Sequence, residues 1–304
     1  MVVLPSFKQL QYLVALSEHL SFTRAAEACF VTQSTLSAGL KELEDLLDAR
    51  LVERDRQTVL MTPLGLEVAR RARDVLASAR NLAEFASGAT APMSGLLRLG
   101  VIPTVAPFLL PPCLARLRER YPALRLALRE DLTAGLLQRL EEGRLDFALI
   151  ALPYETAHLL VEPLFDDALW LVGRKGDAAV KARRPGITAA LVGRLLLLEE
   201  GHCLRDHALH ACSAAPRPPQ EGVEATSLLT LVQMIEFGFG LGLVPEMAVR
   251  SGLADSPGLT ARALAQPGPS RTIALVARRS TPRLADMQAL AALIRSAHAA
   301  AGRP

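Results

Sequence analysis

Residues 201–212, with the sequence GHCLRDHALHAC, hold two thiols and three imidazoles within twelve positions. Thiolates and imidazoles are preferred ligands of transition metals, and a thiolate is also a nucleophile and a target of oxidation. Four interpretations of the segment therefore compete: a metal site, a catalytic cysteine, a redox switch, or a soluble helix whose cysteines act as small apolar side chains. The residues concerned are Cys203, Cys212, His202, His207 and His210.

The first two interpretations find little support elsewhere in the chain. Cys203, His207 and His210 have a helical spacing suited to metal ligands, but no second C-x-x-C or H-x-x-x-H pair exists in the sequence. A cysteine enzyme would also need a base and an oxyanion hole, and nothing outside the segment indicates them. We therefore expect no resident metal, no cofactor and no enzymatic activity. For Cys29 and Cys113, on apolar helical faces, we predict simple packing.

A redox switch is favoured by the spacing of the two thiols. If residues 203–212 form one helix, the Cα atoms of Cys203 and Cys212 lie roughly 13–14 Å apart, on nearly opposite faces. A disulfide needs Cα atoms within roughly 4.4–6.8 Å, so the pair can join only if the helix unwinds. Cys203 would lie in the first helical turn, where free N–H groups favour a thiolate, and Arg205 and the histidines would add positive potential.

The elements that position this segment have an α/β pattern. Short apolar strand candidates alternate with helical patterns after the linker-like stretch 87–95, which predicts parallel α/β units. A late strand at 271–279 that returns to the first sheet would give two subdomains, with crossings near 165–168 and 266–270. The strand candidates are LLRLGVI, LRLALRE, LDFALIAL, LWLVGR, LLLLEE and RTIALVARR.

The N-terminal region has the pattern of a winged helix-turn-helix. Ser6, Ser21 and Thr32 each precede a helical pattern, and the strand-like pieces ARLVER and TVLMT follow. Thr62-Pro63 then opens a long helix. A recognition helix presents its first turn to base edges in the major groove, and cations nearby reach phosphates. The candidate DNA-binding residues are Gln33, Ser34, Thr35, Ser37, Lys41, Arg24, Arg54 and Arg56.

Net charge does not argue for DNA binding. Residues 1–90 contain 10 Lys and Arg against 11 Asp and Glu, a net charge of −1 within a chain of +3. The case therefore rests on local pattern. The sequence shows no signal-peptide pattern and no run of about 18 apolar residues, so we expect a cytoplasmic protein without a membrane partner.

The long helix after Pro63 carries a continuous apolar stripe. A single helix cannot bury such a stripe against itself, so either a second subunit or the helix-turn-helix core must cover it. The stripe consists of Leu64, Val68, Ala72, Val75, Leu76, Ala79, Leu82 and Ala83.

Residues 22–62 resemble the DNA-binding domain of the LysR family of bacterial transcriptional regulators. The match rests on the A-A-E group, the V-T-Q-S-T-L-S turn and helix, the L-E-x-x-L run and the T-P-x-G opening of the long helix. The resemblance implies dimerisation through the long helix, assembly as a homotetramer (a dimer of dimers), and binding of promoter DNA. It also implies a sensor domain like periplasmic binding proteins. The expected domains are 1–62, 63–94 and 95–304, the last with subdomain I at 95–166 and 269–304 and subdomain II at 167–268.

The segment Glu200–His207, with a second cysteine nine residues after the first, resembles the peroxide-sensing members of that family, as do IPTVAPFLLP at 102–111 and EDLTAGLLQRL at 130–140. The resemblance implies that hydrogen peroxide oxidises Cys203 and that Cys212 resolves the product as a disulfide. It assigns peroxide contacts to Thr104 and Thr133, a proton to His202, orientation of a water or the loop to Asp206, and support of the thiolate to Arg271.

The same resemblance implies an activator that contacts RNA polymerase and is reset by a thiol reductant such as glutaredoxin or thioredoxin. The alternative function is a LysR-type regulator that senses a small metabolite in the subdomain cleft, where Thr104 and Thr133 would hold a carboxylate.

Overall fold

The computed structural model describes residues 4–54, 59–86, 92–212 and 224–301. Among these residues, 4–86 form one compact unit and 92–301, apart from 141–143, form a second. No helix in the described ranges is long and apolar enough to cross a membrane.

The first unit is a winged helix-turn-helix followed by a long helix. Each predicted cap is confirmed: Ser6 forms a capping box with Gln9, Ser21 accepts from the amide of Arg24, and Thr32 accepts from the amide of Thr35. The two short strands pair antiparallel, which confirms the wing, and residues 55–58 between them lie outside the described residues. The elements are α1 (Phe7–His19), α2 (Phe22–Ala28), α3 (Gln33–Leu47), β1 (Val52–Arg54), β2 (Val59–Met61) and α4 (Pro63–Ala86).

The apolar stripe of α4 is divided between burial and exposure. Ala72 and Leu76 are buried with Leu10 of α1, so part of the stripe packs inside this unit. Leu64 and Leu82, in contrast, are more than half exposed. The helix-turn-helix core therefore accounts for part of the stripe and leaves apolar surface for a partner.

The T-P-x-G opening of α4 has a physical reason. The Thr62 hydroxyl donates to the carbonyl of Arg50 and accepts from the amide of Gly65. This arrangement brings the backbone of Leu51 so close that a Cβ at Gly65 would lie 2.0 Å from the Leu51 carbonyl oxygen.

We predict that Gly65→Ala destabilises the first unit by about 2 kcal/mol, because the added methyl group meets rigid backbone. In an unobstructed helix interior the same change stabilises by about 1 kcal/mol, so the sign tests the contact. Urea unfolding of the full chain measures the effect. Leu66→Ala, at an exposed position of the same turn, is the control and should change stability by about 0.5 kcal/mol or less. A stabilised Gly65→Ala variant would contradict the prediction.

The second unit is an α/β structure with helices packed on its sheet. The predicted strands are present, although LLLLEE contributes only two strand residues. The elements are β3 (Gly95–Val101), α5 (Ala106–Arg120), β4 (Leu124–Glu130), α6 (Thr133–Glu141), β5 (Phe147–Leu152), β6 (Leu159–Arg174), α7 (Ala189–Val192), β7 (Leu197–Leu198), α8 (Cys203–Ala211), β8 (Glu224–Ala225), α9 (Leu228–Glu236), β9 (Gly242–Pro245), α10 (Glu246–Arg250), β10 (Leu259–Ala263), β11 (Ser270–Arg278) and α11 (Leu284–Ala301).

The sheet is mixed: it contains the predicted parallel α/β pairing together with antiparallel pairs. Its order is β10-β6-β11-β5-β3-β4, with β9 also paired to β6. Within this sheet β3 pairs in parallel with β4 and β5, whereas β11 runs antiparallel to both β5 and β6. A separate two-stranded sheet pairs β7 with β8 in parallel. The chain returns to the first sheet through β11. Because β11 enters this sheet from the end opposite to that at which β5 begins, it runs antiparallel to β5.

The second unit has two hydrophobic cores joined by one long strand. The first core includes Leu99, Phe147, Ile150, Leu275 and Ile294. The second core includes Leu171, Leu196, Leu231, Ile235 and Val244. Residues 159–168 of β6 pair with β11, and residues 169–174 pair with β9 or β10. The fold is therefore a winged helix-turn-helix, a long helix and a periplasmic-binding-protein-like α/β unit, as predicted.

Candidate redox and DNA-binding sites

The cysteine segment forms the predicted helix. Helix α8 begins at Cys203, with His202 as the N-cap residue, and ends at Ala211, with Cys212 as the C-cap residue. Both thiols are free. At a rise of about 1.5 Å per residue, their Cα atoms are separated by roughly 13–14 Å, beyond the reach of a disulfide.

The two thiols lie in different hydrophobic cores. Cys203 packs in the first core and Cys212 packs in the second. Their exposed fractions are 6 % and 5 %, so each is buried but neither is fully sealed from solvent. A bond between them requires at least one sulfur to leave its core, in addition to the unwinding of α8.

Thr133 lies beside the Cys203 thiol. It is the first residue of α6 and is 1 % exposed. Its hydroxyl lowers the pKa of the Cys203 thiol and so favours the thiolate. Among the described residues, its Oγ1 has no hydrogen-bond partner of ordinary geometry. A buried hydroxyl without a partner is costly, so this one is available to a ligand. The alternative role of Thr133 as a helix cap is therefore not observed.

Thr104 belongs to a buried ionic network. Its Oγ1 accepts from Arg271 at 2.8 Å, and its carbonyl oxygen accepts from the same guanidinium at 3.1 Å. Arg271 also pairs with Asp167, at 3.0 Å between the charged groups. These two residues face each other on β11 and β6, and Asp167 further accepts from the amide of Met247.

The side chain of Arg271 is 0 % exposed, which rules out a surface role. Sequence reasoning missed Asp167, because only the register of two distant strands places it opposite Arg271.

The environment raises the pKa of the Cys203 thiol above its ordinary value. Burial is the largest cause, and the Arg271 charge and the Thr133 hydroxyl oppose it. The expected stabilisation of a thiolate by the helix start is therefore present but outweighed by desolvation.

Burial also lowers the pKa of His202 and of His207. These two imidazoles favour the neutral form and do not add positive potential, contrary to the prediction. Arg205 is paired with the carboxylate of Glu224 and with the carbonyl of Leu198, so its charge is already engaged.

The remaining polar residues of α8 are Asp206, His207 and His210, and the charge of Asp206 raises the pKa of the Cys203 thiol. Asp206 and His210 are exposed and border a cleft of about 940 Å³, which residues 264–270 also line. The buried His207 donates from Nε2 to the carbonyl of Leu152 at 2.9 Å, the conventional tautomer for that contact. The described part of the chain holds no group of three His, Cys, Asp or Glu side chains suited to a metal ion.

Most of the candidate DNA-binding residues that the structure describes are exposed on the first unit. Gln33, Ser34 and Thr35 are exposed in the first turn of α3, while Ser37 is half-buried. Arg24 and Lys41 are also exposed. The side chain of Arg54 and all of Arg56 lie outside the described residues.

Phe30, in the turn before α3, is 96 % exposed. The sequence analysis assigned Phe30 no role, although an apolar residue in an otherwise polar turn could have indicated a contact surface.

A winged helix-turn-helix unit followed by a periplasmic-binding-protein-like unit defines a class of two-part transcriptional regulators. Residues 7–66 match the model of the bacterial regulatory helix-turn-helix proteins of the lysR family, and residues 90–299 match the LysR substrate binding domain. The chain belongs to the LysR family of DNA-binding transcriptional regulators.

Three similar proteins span nearly the whole chain. The HTH-type transcriptional regulator EstR of Acinetobacter baylyi is 45 % identical over 284 residues, which cover 93 % of each chain. A probable hydrogen peroxide-inducible genes activator of Streptomyces viridosporus is 41 % identical and covers 96 % of this chain and 94 % of its own. A solved structure of a full-length OxyR variant from Pseudomonas aeruginosa superimposes with a TM-score of 0.74, at 34 % identity, over 96 % of this chain and 98 % of that chain.

Proposed function

We propose that this regulator senses hydrogen peroxide through Cys203. The observation that carries the proposal is the Thr133 hydroxyl, which is buried beside the Cys203 thiol, lowers the pKa of that thiol, and has no other hydrogen-bond partner among the described residues. A small polar molecule that enters this site finds a nucleophile and a hydrogen-bond donor together. Relatives named as peroxide-inducible activators and as OxyR support the same function. EstR carries a name that does not mention peroxide, so the proposal depends on the site itself.

The proposed chemistry is a two-electron oxidation of two thiols. The Cys203 thiolate attacks one peroxide oxygen, the O–O bond breaks, and the leaving hydroxide takes a proton to become water. The sulfenic acid on Cys203 is then attacked by the sulfur of Cys212, which forms the disulfide and releases a second water. Thr133 donates to the developing charge on oxygen, as does Thr104, whose oxygen is already bonded to Arg271.

Other residues have supporting roles in this proposal. His202, neutral at the N-cap of α8, exchanges a proton with the leaving oxygen, and Asp206 orients water at the mouth of the adjoining cleft. Unwinding of α8 then alters how the subunits of a homotetramer meet the promoter DNA, with consequences for RNA polymerase. A thiol reductant such as glutaredoxin or thioredoxin restores the dithiol. We also propose a division of tasks among the domains. Residues 1–62 bind DNA, residues 63–94 join the subunits, and residues 95–304, with their subdomain boundaries at 166 and 268, sense the peroxide.

A disulfide map tests the function. The reduced full-length protein is treated with about one equivalent of peroxide, quenched within seconds, alkylated and analysed by mass spectrometry. A Cys203–Cys212 disulfide is the expected product. Sustained peroxide turnover with thioredoxin would instead indicate an enzyme, and an unchanged dithiol would reject the proposal.

The second candidate is a regulator that senses a small metabolite. The cleft of about 940 Å³ has a volume typical of small-molecule sites. However, neither Thr104 nor Thr133 lines that cleft, so the predicted grip on a carboxylate does not describe it. Protection of the protein against thermal unfolding by a metabolite, with no reaction toward peroxide, would favour this alternative.

We predict that Thr133→Val slows oxidation of Cys203 by about tenfold, which corresponds to the loss of about one hydrogen bond in the transition state. Valine keeps the volume and removes the hydroxyl, whose interaction among the described residues is with the Cys203 thiol itself. Stopped-flow kinetics of thiol loss measure the rate. Thr188→Val, which removes a helix-capping hydroxyl far along the chain, is the control and should leave the rate unchanged. Equal rates for the Thr133 variant and the unmodified protein would remove the hydroxyl from the mechanism.

We also propose that the first turn of α3 reads base edges and that Arg24 and Lys41, with Arg54 and Arg56 at the wing, contact phosphates. Lys41→Gln should weaken promoter binding and lower the slope of log affinity against log salt by about 0.9, the effect of one phosphate contact. Fluorescence anisotropy at several salt concentrations measures this slope. Lys175→Gln, at an exposed position of the second unit, should leave it unchanged. The assignment of Lys41 fails if both variants have the slope of the unmodified protein.

A further inference from the structure

A single side chain fastens the middle of α8 to the first sheet. His207 Nε2 donates to the carbonyl oxygen of Leu152, the last residue of β5, at 2.9 Å. Leu152 packs against the first core, whereas Leu204 and Ala208, on either side of His207, belong to the second core. The bond therefore ties a helix that is largely anchored in one core to the backbone of the other.

We propose that His207 is a positioning residue that holds the cysteine segment in its dithiol form and thereby sets how readily the Cys203–Cys212 disulfide forms. The inference rests on the proposed function, because it concerns the oxidation of the same thiols. It adds a residue that opposes that oxidation through its hydrogen bond to β5, and whose imidazole also lies near the Cys203 backbone and the Arg271 charge.

The hydrogen bond depends on an intact α8. His207 lies four residues after Cys203 and five before Cys212, in the middle of the ten-residue ring that the disulfide closes. A ring of this size cannot contain the nine-residue helix, whose ends are roughly 13–14 Å apart. Closure removes helical hydrogen bonds next to His207, and these bonds hold its imidazole opposite Leu152.

The bond therefore contributes free energy to the dithiol form alone. Burial strengthens the dependence, because His207 is only 9 % exposed and a partly buried carbonyl without its donor is costly. Arg205 has a similar anchoring role toward β8, but its partners Leu198 and Glu224 lie on the second-core side. Of the contacts described for α8, the His207 bond is the one that crosses to β5.

The test is a thiol–disulfide equilibrium of the full-length protein in glutathione buffers. Oxidised glutathione takes two electrons from Cys203 and Cys212, which form the disulfide, and is released as two molecules of reduced glutathione. His207→Leu should raise the ratio of disulfide to dithiol about three- to tenfold, the equivalent of one hydrogen bond. His207→Gln, whose amide can still donate to Leu152, should bring the ratio back to within about twofold of the unmodified protein.

His210→Leu is the matched control. It makes the same change on the same helix, at an exposed residue, and should leave the ratio within about twofold. His207→Met is measured in parallel, since it also lacks a donor and has a flexible side chain that tolerates the site if leucine does not.

Three results would overturn the role of His207: an unchanged ratio in the leucine and methionine variants, an equal shift in the glutamine variant, or an equal shift in His210→Leu. Failure of the proposed function looks different. In that case the unmodified protein forms no Cys203–Cys212 disulfide with peroxide, and the inference falls with it. A disulfide that forms normally but ignores every change at His207 rejects the inference alone.

Discussion

Cys203→Ser is expected to abolish the peroxide-induced change in the DNA footprint while leaving affinity for promoter DNA within about twofold. The hydroxyl of serine is not oxidised by peroxide, so no disulfide forms and α8 stays folded. The residues proposed to bind DNA lie in the first unit, whereas Cys203 belongs to the second. Footprinting with and without peroxide, together with anisotropy for the affinity, measures both quantities.

Cys113→Ala is the matched control for this experiment. Burial raises the pKa of the Cys113 thiol to about 11, so that thiol remains protonated and unreactive. The footprint of the control should still change with peroxide. If the Cys203 variant retains the footprint change, or if the Cys113 variant loses it, the assignment of the reacting sulfur is wrong.

Arg271→Met is expected to reduce the free energy of unfolding of the second unit by about 3–5 kcal/mol. The substitution leaves the buried carboxylate of Asp167 without its cation, and an unpaired buried charge is far more costly than a missing pair. It also removes the charge that lowers the Cys203 pKa. The thiolate fraction should then fall and oxidation should slow. Denaturant unfolding and peroxide kinetics measure the two effects.

The partner substitution separates charge from packing. Asp167→Asn added to Arg271→Met removes the orphaned charge and should recover much of the lost stability, but not the oxidation rate. Arg183→Met, at an exposed position, should alter neither quantity. If the double variant is no more stable than Arg271→Met alone, the loss has another origin than the unpaired carboxylate.

Local features were predictable from the sequence because neighbouring residues determine them. The caps at Ser6, Ser21 and Thr32 and the start of α8 depend on side chains within three or four positions. The resemblance to the LysR family extended the prediction from local features to the whole architecture, and it pointed to Thr104 and Thr133 as site residues. The placement of Thr104 and Thr133 as buried, non-capping residues needed the structure, since both also suit helix starts.

The return of the strand at 271–279 to the first sheet was predicted, but its pairing partners and their antiparallel direction were not. The first half of β6 contains Glu162, Pro163 and two aspartates, which interrupt the apolar pattern of a strand. Its pairing partner β11 is about a hundred residues away in sequence, so the mixed sheet and the role of Asp167 were both missed. The pKa of Cys203 is raised because several elements bury its thiol. The position of Cys203 at the start of a helix indicated only the smaller contribution that lowers this pKa.

The long strand β6 has a mechanical consequence. Leu159–Arg174 continues from one sheet into the other, and Asp167, one residue before its pairing with β11 ends, is locked to Arg271. A shared backbone of this kind resists separation of the two lobes but permits twisting about the strand direction. If oxidation unwinds α8 as proposed, we expect the two cores to rotate relative to each other about the direction of β6, with the buried Arg271–Asp167 pair holding β6 and β11 in register.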